Sequence, residues 1–193
     1  MRYSPFIVTA LAASVACASV ASGQATDATP VELRPFIGVF VPIGSQSSDF
    51  KTATSVGFQG ALEMSQHIHG LISGTWTRDH TKVGSFNTDV ANIWQFDAGA
   101  EFNLVRPLNH GWLFRPFVGA GAGLRTYDYA AVLVGSKSCS AGYGALGTEL
   151  QRDVVAFRLE GRDYVSCFQS PITGNRVTRS DIGIALGLAY HMF

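Results

Sequence analysis

Val154-Val155-Ala156-Phe157-Arg158-Leu159-Glu160-Gly161-Arg162-Asp163-Tyr164-Val165 reads as an extended strand with two unlike faces. Arg158, Glu160, Arg162 and Tyr164 alternate with Val155, Phe157 and Leu159. Successive side chains of a strand point to opposite sides, so charge gathers on one face and hydrocarbon on the other. The same segregation recurs in Ile93 to Leu104 and in Val56 to Met64. It suits a membrane β-barrel whose outside meets lipid and whose inside is polar.

The start of the chain fits that destination. Met1-Arg2-Tyr3 is a short basic opening, Pro5 to Ala21 is an apolar run, and Ala21-Ser22-Gly23 offers the small residues of a signal-peptidase site. Residues 1–23 are therefore expected to be a cleaved secretory leader, and residues 24–193 one barrel domain. Cys17 would suit a lipoprotein site, but Ser14-Val15-Ala16 lacks the leucine that opens such motifs. Hydrophobic residues make up 47% of the chain and charged ones 15%, with 21 Gly and 13 Phe, as expected where half of each strand faces lipid. Net charge is +0 with no basic run, so no nucleic-acid partner is expected. No Pro/Ser-rich linker divides the mature chain.

Working along the chain gives eight candidate strands, the even number that bacterial single-chain barrels use. They fall at Val31 to Ile43, Ser55 to Met64, Gly70 to Asp79, Ala91 to Val105, Leu113 to Tyr127, Ser140 to Leu150, Val154 to Val165 and Ser180 to Phe193. The links Ser65 to His69, Arg106 to Trp112 and Gln151 to Asp153 are short. Gly44 to Thr54, His80 to Val90, Asp128 to Cys139 and Ser166 to Arg179 are longer and more polar. Short periplasmic turns and long outer loops place both termini on the periplasmic side. The fold class is an all-β, antiparallel, up-and-down transmembrane barrel with a polar, side-chain-filled interior.

Parity then assigns faces. Leu33, Ile37, Val39, Phe58, Leu62, Trp94, Phe96, Phe102, Val118, Leu124, Leu146, Phe157, Leu159, Ile184, Leu186 and Leu188 fall on the lipid side. Glu32, Arg34, Gln59, Glu63, Asp97, Glu101, Arg115, Arg125, Glu149, Arg158, Glu160 and Arg162 fall inside. Buried charges are costly unless paired, so both signs are expected to satisfy one another across a lumen with no open pore. Trp76, Trp94, Trp112, Tyr127, Tyr164 and Tyr190 are candidates for an interfacial aromatic girdle.

Arg115-Pro116-Phe117-Val118-Gly119-Ala120-Gly121-Ala122-Gly123, a Pro-aromatic start followed by alternating glycines, resembles the fifth-strand region of small outer-membrane β-barrels of the OmpA/OmpX type. The resemblance extends over the mature chain through strand count, loop asymmetry and a terminal Phe. It implies a monomeric outer-membrane protein of a Gram-negative-type envelope. Such a protein is surrounded by outer-membrane lipid, is inserted by the outer-membrane assembly machinery, and has a structural or surface-interaction role through its outer loops. Phe193 departs from the family's spacing, because Leu188 and Tyr190 share one parity and Phe193 has the other.

Other chemistries have weaker support. Some similar barrels modify lipid A with a His, a Ser and a carboxylate near the outer rim, and His80, Ser85 and Asp89 are the corresponding candidates here. Loops are commonly rich in these residue types, so no enzyme is expected. His67 and His69 could share a face as metal ligands, yet no carboxylate or Cys cluster flanks them, and a solvated turn accounts for them. No cofactor or metal is expected. A soluble lipocalin-like ligand carrier would invert the faces, with Phe157 and Leu159 inside.

Cys139 and Cys167 are the two cysteines left after leader cleavage, in an oxidising compartment. They stand at the outer ends of strands joined by the Gln151 to Asp153 turn, and a disulfide is expected between them. Strict parity sets them on opposite faces, so the bond needs a bulge or a relaxed strand end.

Overall fold

The computed structural model describes residues 31–43, 47, 50–80, 90–129, 136–169 and 176–192. Its strands are β1 Val31–Ile43, β2 Ala53–Ser65, β3 Ile68–His80, β4 Val90–Asn103, the two-residue β5 Arg106–Pro107, β6 Trp112–Tyr129, β7 Lys137–Arg152, β8 Val155–Gln169 and β9 Arg176–Met192. Each long strand pairs antiparallel with its neighbours in sequence. The β1–β9 and β4–β6 ladders join the remaining edges, which makes a closed eight-stranded barrel with β5 as an extra piece on β6. Closure leaves no long unpaired edge, which matters because backbone groups facing hydrocarbon cannot be satisfied by water.

The period-2 pattern explains the placement. Phe157 and Leu159 are 61% and 46% exposed, while Arg158, Glu160 and Arg162, which alternate with them, are buried. Such a contiguous apolar exterior around a charged interior is the reverse of a water-soluble barrel. Of the residues expected on the lipid face, Leu33 is half-buried and the others are exposed. The expected strand limits agree with the observed ones to within a few residues. The β2–β3 link contracts to a turn at residues 66–67, and the β7–β8 turn is Asp153-Val154, with Asp153 at φ 53°, a left-handed backbone that Asp tolerates.

Two local expectations are corrected. The Arg106 to Trp112 link is not a plain loop. Arg106 and Pro107 pair with Phe114 and Leu113, and His110 (φ 63°) and Gly111 (φ 77°) turn the chain back left-handed. Tyr127 and Tyr164 do not join the girdle. They share parity with Arg125 and Arg162 and are buried in the lumen. Trp76 and Trp94 do meet on the outside as register partners, with ring centroids 6.2 Å apart, towards the long-loop end. Tyr190 is exposed near the opposite rim.

Lumen-facing glycines make room for the rings. A Cβ on Gly121 would lie 2.6 Å from the Tyr143 ring and one on Gly99 2.5 Å from its hydroxyl, so these two glycines are the floor on which Tyr143 lies. At the long-loop end the lumen turns apolar. Phe50, from the β1–β2 connection, is buried against Phe40, Ala91, Ile93 and Tyr127, stacked 5.8 Å from the Tyr127 ring. The neighbouring Lys51 backbone N–H donates to Asp79 at 3.2 Å and ties this segment to β3.

Leu159→Arg should impair insertion into bilayers by roughly 2 to 4 kcal/mol, because it sets a charge on the lipid face at mid-strand. The check is urea titration of folding into phosphatidylcholine vesicles. An unchanged midpoint would show that this face does not meet lipid.

Candidate functional site

The interior is organised around Glu101 on β4. Arg158 on β8 reaches it across the barrel, its Nη2 donating to Glu101 Oε2, and also donates from Nε to Glu160 at 2.9 Å. Arg34 on β1 approaches the same Glu101 at 3.4 Å from another side. One carboxylate thus holds together strands that are not neighbours in the sheet. The Arg158 guanidinium also lies over the Phe117 ring, 3.6 Å from its centroid, a desolvated cation–π contact.

Towards the long-loop end, Arg162 donates from Nε to Glu160 and from Nη1 to Ser73 and to the Tyr164 hydroxyl, both at 3.1 Å. Tyr164 passes its own O–H to Asp97 at 3.1 Å. Arg125 grips Asp181 with two nitrogens, Nη2 at 3.1 Å, and donates from Nε to Gln95. Two-pronged contact of this kind fixes orientation as well as charge. Its guanidinium faces the Tyr164 ring at 4.9 Å and the ring of Phe40, a member of the Phe50 cluster, at 5.8 Å.

Towards the short-turn end, Arg34 donates from Nε to Glu32 at 2.8 Å and from Nη1 to Gln59 at 2.9 Å. Arg115 lies 3.4 Å from Glu149 and 3.5 Å from Glu32. His191 is set between two carboxylates, Nδ1 2.9 Å from Glu32 and Nε2 3.5 Å from Glu149. Glu32 and His191 are register partners in the β1–β9 ladder, so this contact sits on the seam where the two ends of the barrel meet.

Between these layers is a cavity of about 50 Å³ bounded in part by Arg34, Gln59, Arg158, Glu160, Arg162 and Tyr164. That is room for a few waters and far below the several hundred Å³ of a small-molecule site. Among the described residues the lumen between these layers is filled largely by paired charge.

Asp97, Glu101, Arg115, Arg125, Glu149, Arg158, Glu160 and Arg162 are all brought together in the lumen. Glu63 is the exception. It is half-exposed at the short-turn rim, opposite His69 in register next to an irregularity in the β2–β3 ladder, and forms no ion pair among the described residues. Several buried lumen residues were not anticipated. Asp181 and His191 have the inward parity of β9, opposite to Ile182, Ile184, Leu186 and Leu188, so the alternation rule could have found them; Arg179 and Asp79 likewise face inward. His69 is no turn residue. β3 begins at Ile68, and His69 is buried with Nδ1 3.1 Å from Asn103 and 3.3 Å from Arg34. His67 stays in the turn against Phe102, so the two do not form a site together. Ser85 and Asp89 lie outside the described residues, as do residues 1–23, Cys17 among them, and Phe193.

The disulfide joins Cys139 and Cys167, with Cα atoms 5.6 Å apart. The β7–β8 register ends at Ala141↔Ser166, one residue before Cys167 and two from Cys139, although β6–β7 and β8–β9 continue further. That released ladder end is the relaxation that opposite parity demanded.

No family model and no curated protein matches the sequence. Solved structures do match in shape. Neisserial surface protein A is 11% identical, with a TM-score of 0.65 over 83% of this chain and 96% of that one. Ail, the attachment invasion locus protein of Yersinia pestis, is 11% identical over 86% of this chain and 100% of its own, at a TM-score of 0.47. The outer membrane protein AlkL, solved in lipid bilayers, is 13% identical over 89% and 94%, at 0.46. The agreement with neisserial surface protein A carries the fold: this chain has the architecture of a small, closed, antiparallel β-barrel of that type.

Arg158→Ala leaves Glu101 and Glu160 short of a buried partner and should lower stability by about 3 to 5 kcal/mol, read as a shifted urea midpoint in detergent. A silent Arg158→Ala would mean that water reaches these carboxylates. Maleimide labelling of unfolded protein without reductant should leave Cys139 and Cys167 unmodified, and labelling of both would show free thiols.

Proposed function

We propose that this protein is an outer-membrane β-barrel of a Gram-negative-type envelope with a structural or surface-interaction role, and that it conducts no solute. The observation that carries the reading is the interlocked lumen. Its charged side chains are engaged with one another across the barrel, and Phe50 fills the lumen beside Tyr127 towards the long-loop end. An interior so occupied leaves the rim and loops as the parts that can meet a partner.

In this reading residues 1–23 are a cleaved leader and residues 24–193 the mature domain, inserted by the outer-membrane assembly machinery as a monomer. The short turns and both termini face the periplasm, and the long loops face outward to a surface ligand. The disulfide pins the bases of the third and fourth outer loops to one another. The protein is not an enzyme in this account, because the buried acids and bases spend their hydrogen-bonding capacity on partners rather than facing an open cleft. The face assignment also argues against a soluble carrier, since Phe157 and Leu159 are outside and Arg158 and Glu160 inside.

Cell fractionation is the test. The full chain should partition with the outer membrane, migrate differently on gels with and without heating, and give no discrete conductance steps in planar bilayers. Recovery in the periplasmic fraction would sink the membrane reading, and stable channels would sink the closed-lumen reading.

A further inference from the structure

The lumen arginines Arg34, Arg115, Arg125, Arg158 and Arg162 all face carboxylates. Arg106 and Arg152 do not. Both are exposed at the short-turn rim, and neither has an ion pair among the described residues. β4 stops at Asn103 and β5 takes its place beside β6, which brings Arg106 opposite Phe114; on the other side of β6, Trp112 is opposite Arg152. Trp112 and Phe114 share the parity of lipid-facing Val118, so the two cations flank an aromatic pair on the outer surface. The Arg152 guanidinium lies 5.6 Å from the Trp112 ring centroid, a contact that holds it at the membrane side of the rim. Beneath the pair the surface continues as exposed hydrocarbon through Leu150 and Phe157.

From this geometry we propose that Arg106, Trp112 and Arg152 form a binding site for an anionic phospholipid of the leaflet at the short-turn end. The phosphate sits between the guanidiniums, the ring at headgroup depth, and the acyl chains along Leu150 and Phe157. A planar guanidinium suits a phosphate because it can donate two parallel hydrogen bonds, and Trp favours the interface between lipid and water. The inference rests on the membrane-barrel reading.

The experiment uses the mature chain in phosphatidylcholine discs containing a minor fraction of phosphatidylglycerol, with spin-labelled lipids reporting the relative association of each. The wild type should prefer phosphatidylglycerol, and R106Q and R152Q should each reduce that preference roughly fivefold, with the double variant abolishing it. R78Q, which removes an exposed arginine near the opposite end of β3, should leave it unchanged. The inference is overturned by absence of a preference, by survival of the preference in the double variant, or by an equal loss in R78Q. Loss of the preference in millimolar inorganic phosphate at constant ionic strength would overturn the lipid assignment in favour of a free anion. Heat-modifiable migration separates the two levels: a wild type that does not insert refutes the membrane reading, whereas one that inserts without lipid preference refutes only this site. If the double variant does not insert, the single variants decide.

Discussion

The fold depends on Glu101 being held by arginines from two other walls of the barrel. A carboxylate or guanidinium in a lumen this narrow has lost most of its water, and each would be strongly unfavourable alone. Together they become a cross-brace. Arg158 ties β8 to β4, Arg34 ties β1 to β4, and Arg162 ties β8 to Ser73 on β3. Each brace needs the others, because removing one partner leaves a charge with nowhere to go. Lipid cannot supply such specificity, since one hydrocarbon side chain meets an acyl chain much as another does. Shape is therefore set from the inside.

The aromatic residues of the lumen serve the same end. Phe117 and Tyr143 lie against the faces of Arg158 and Arg162, and the inward glycines opposite them take up the thickness of the rings. Charge, ring and missing side chain alternate around the wall so that the interior is filled without apolar residues having to dominate it. The alanine–glycine segment after Arg115 is then a packing feature.

Much of this was legible in the sequence, because one rule with period two governs both faces. Arg158 and Leu159 could be separated from each other before any coordinates, and the strand limits followed from where the alternation stopped. What could not be read was partnership. Parity says that Glu101, Arg34 and Arg158 share a compartment, but not that three strands of unrelated sequence position converge on one carboxylate, since that depends on strand tilt and stagger around the closed ring. Edges were the other weak point. His69 was misread because the strand begins two residues earlier than its expected start, and Glu63 because the register slips beside it. Tyr127 and Tyr164 were drawn to the girdle by residue type, although their own parity pointed inward. The alternation also stops being a guide where the ladder ends, which is where Cys139 and Cys167 meet.

The pairing of Glu32 with His191 joins the first strand to the last. Every other ladder but one forms between strands that follow directly in the chain, so most of the sheet can be assembled as successive hairpins at low entropic cost. The β1–β9 seam cannot. Until residues 176–192 arrive, β1 and β8 present bare edges and the β9 contributions to the interior, Asp181 against Arg125 and His191 against Glu32, do not exist. A chain interrupted before its final strand is thus more than a slightly shorter barrel: it is an open sheet with unmatched charges on its concave side. The seventeen residues of β9 are what turn that open sheet into a closed ring with its charges matched.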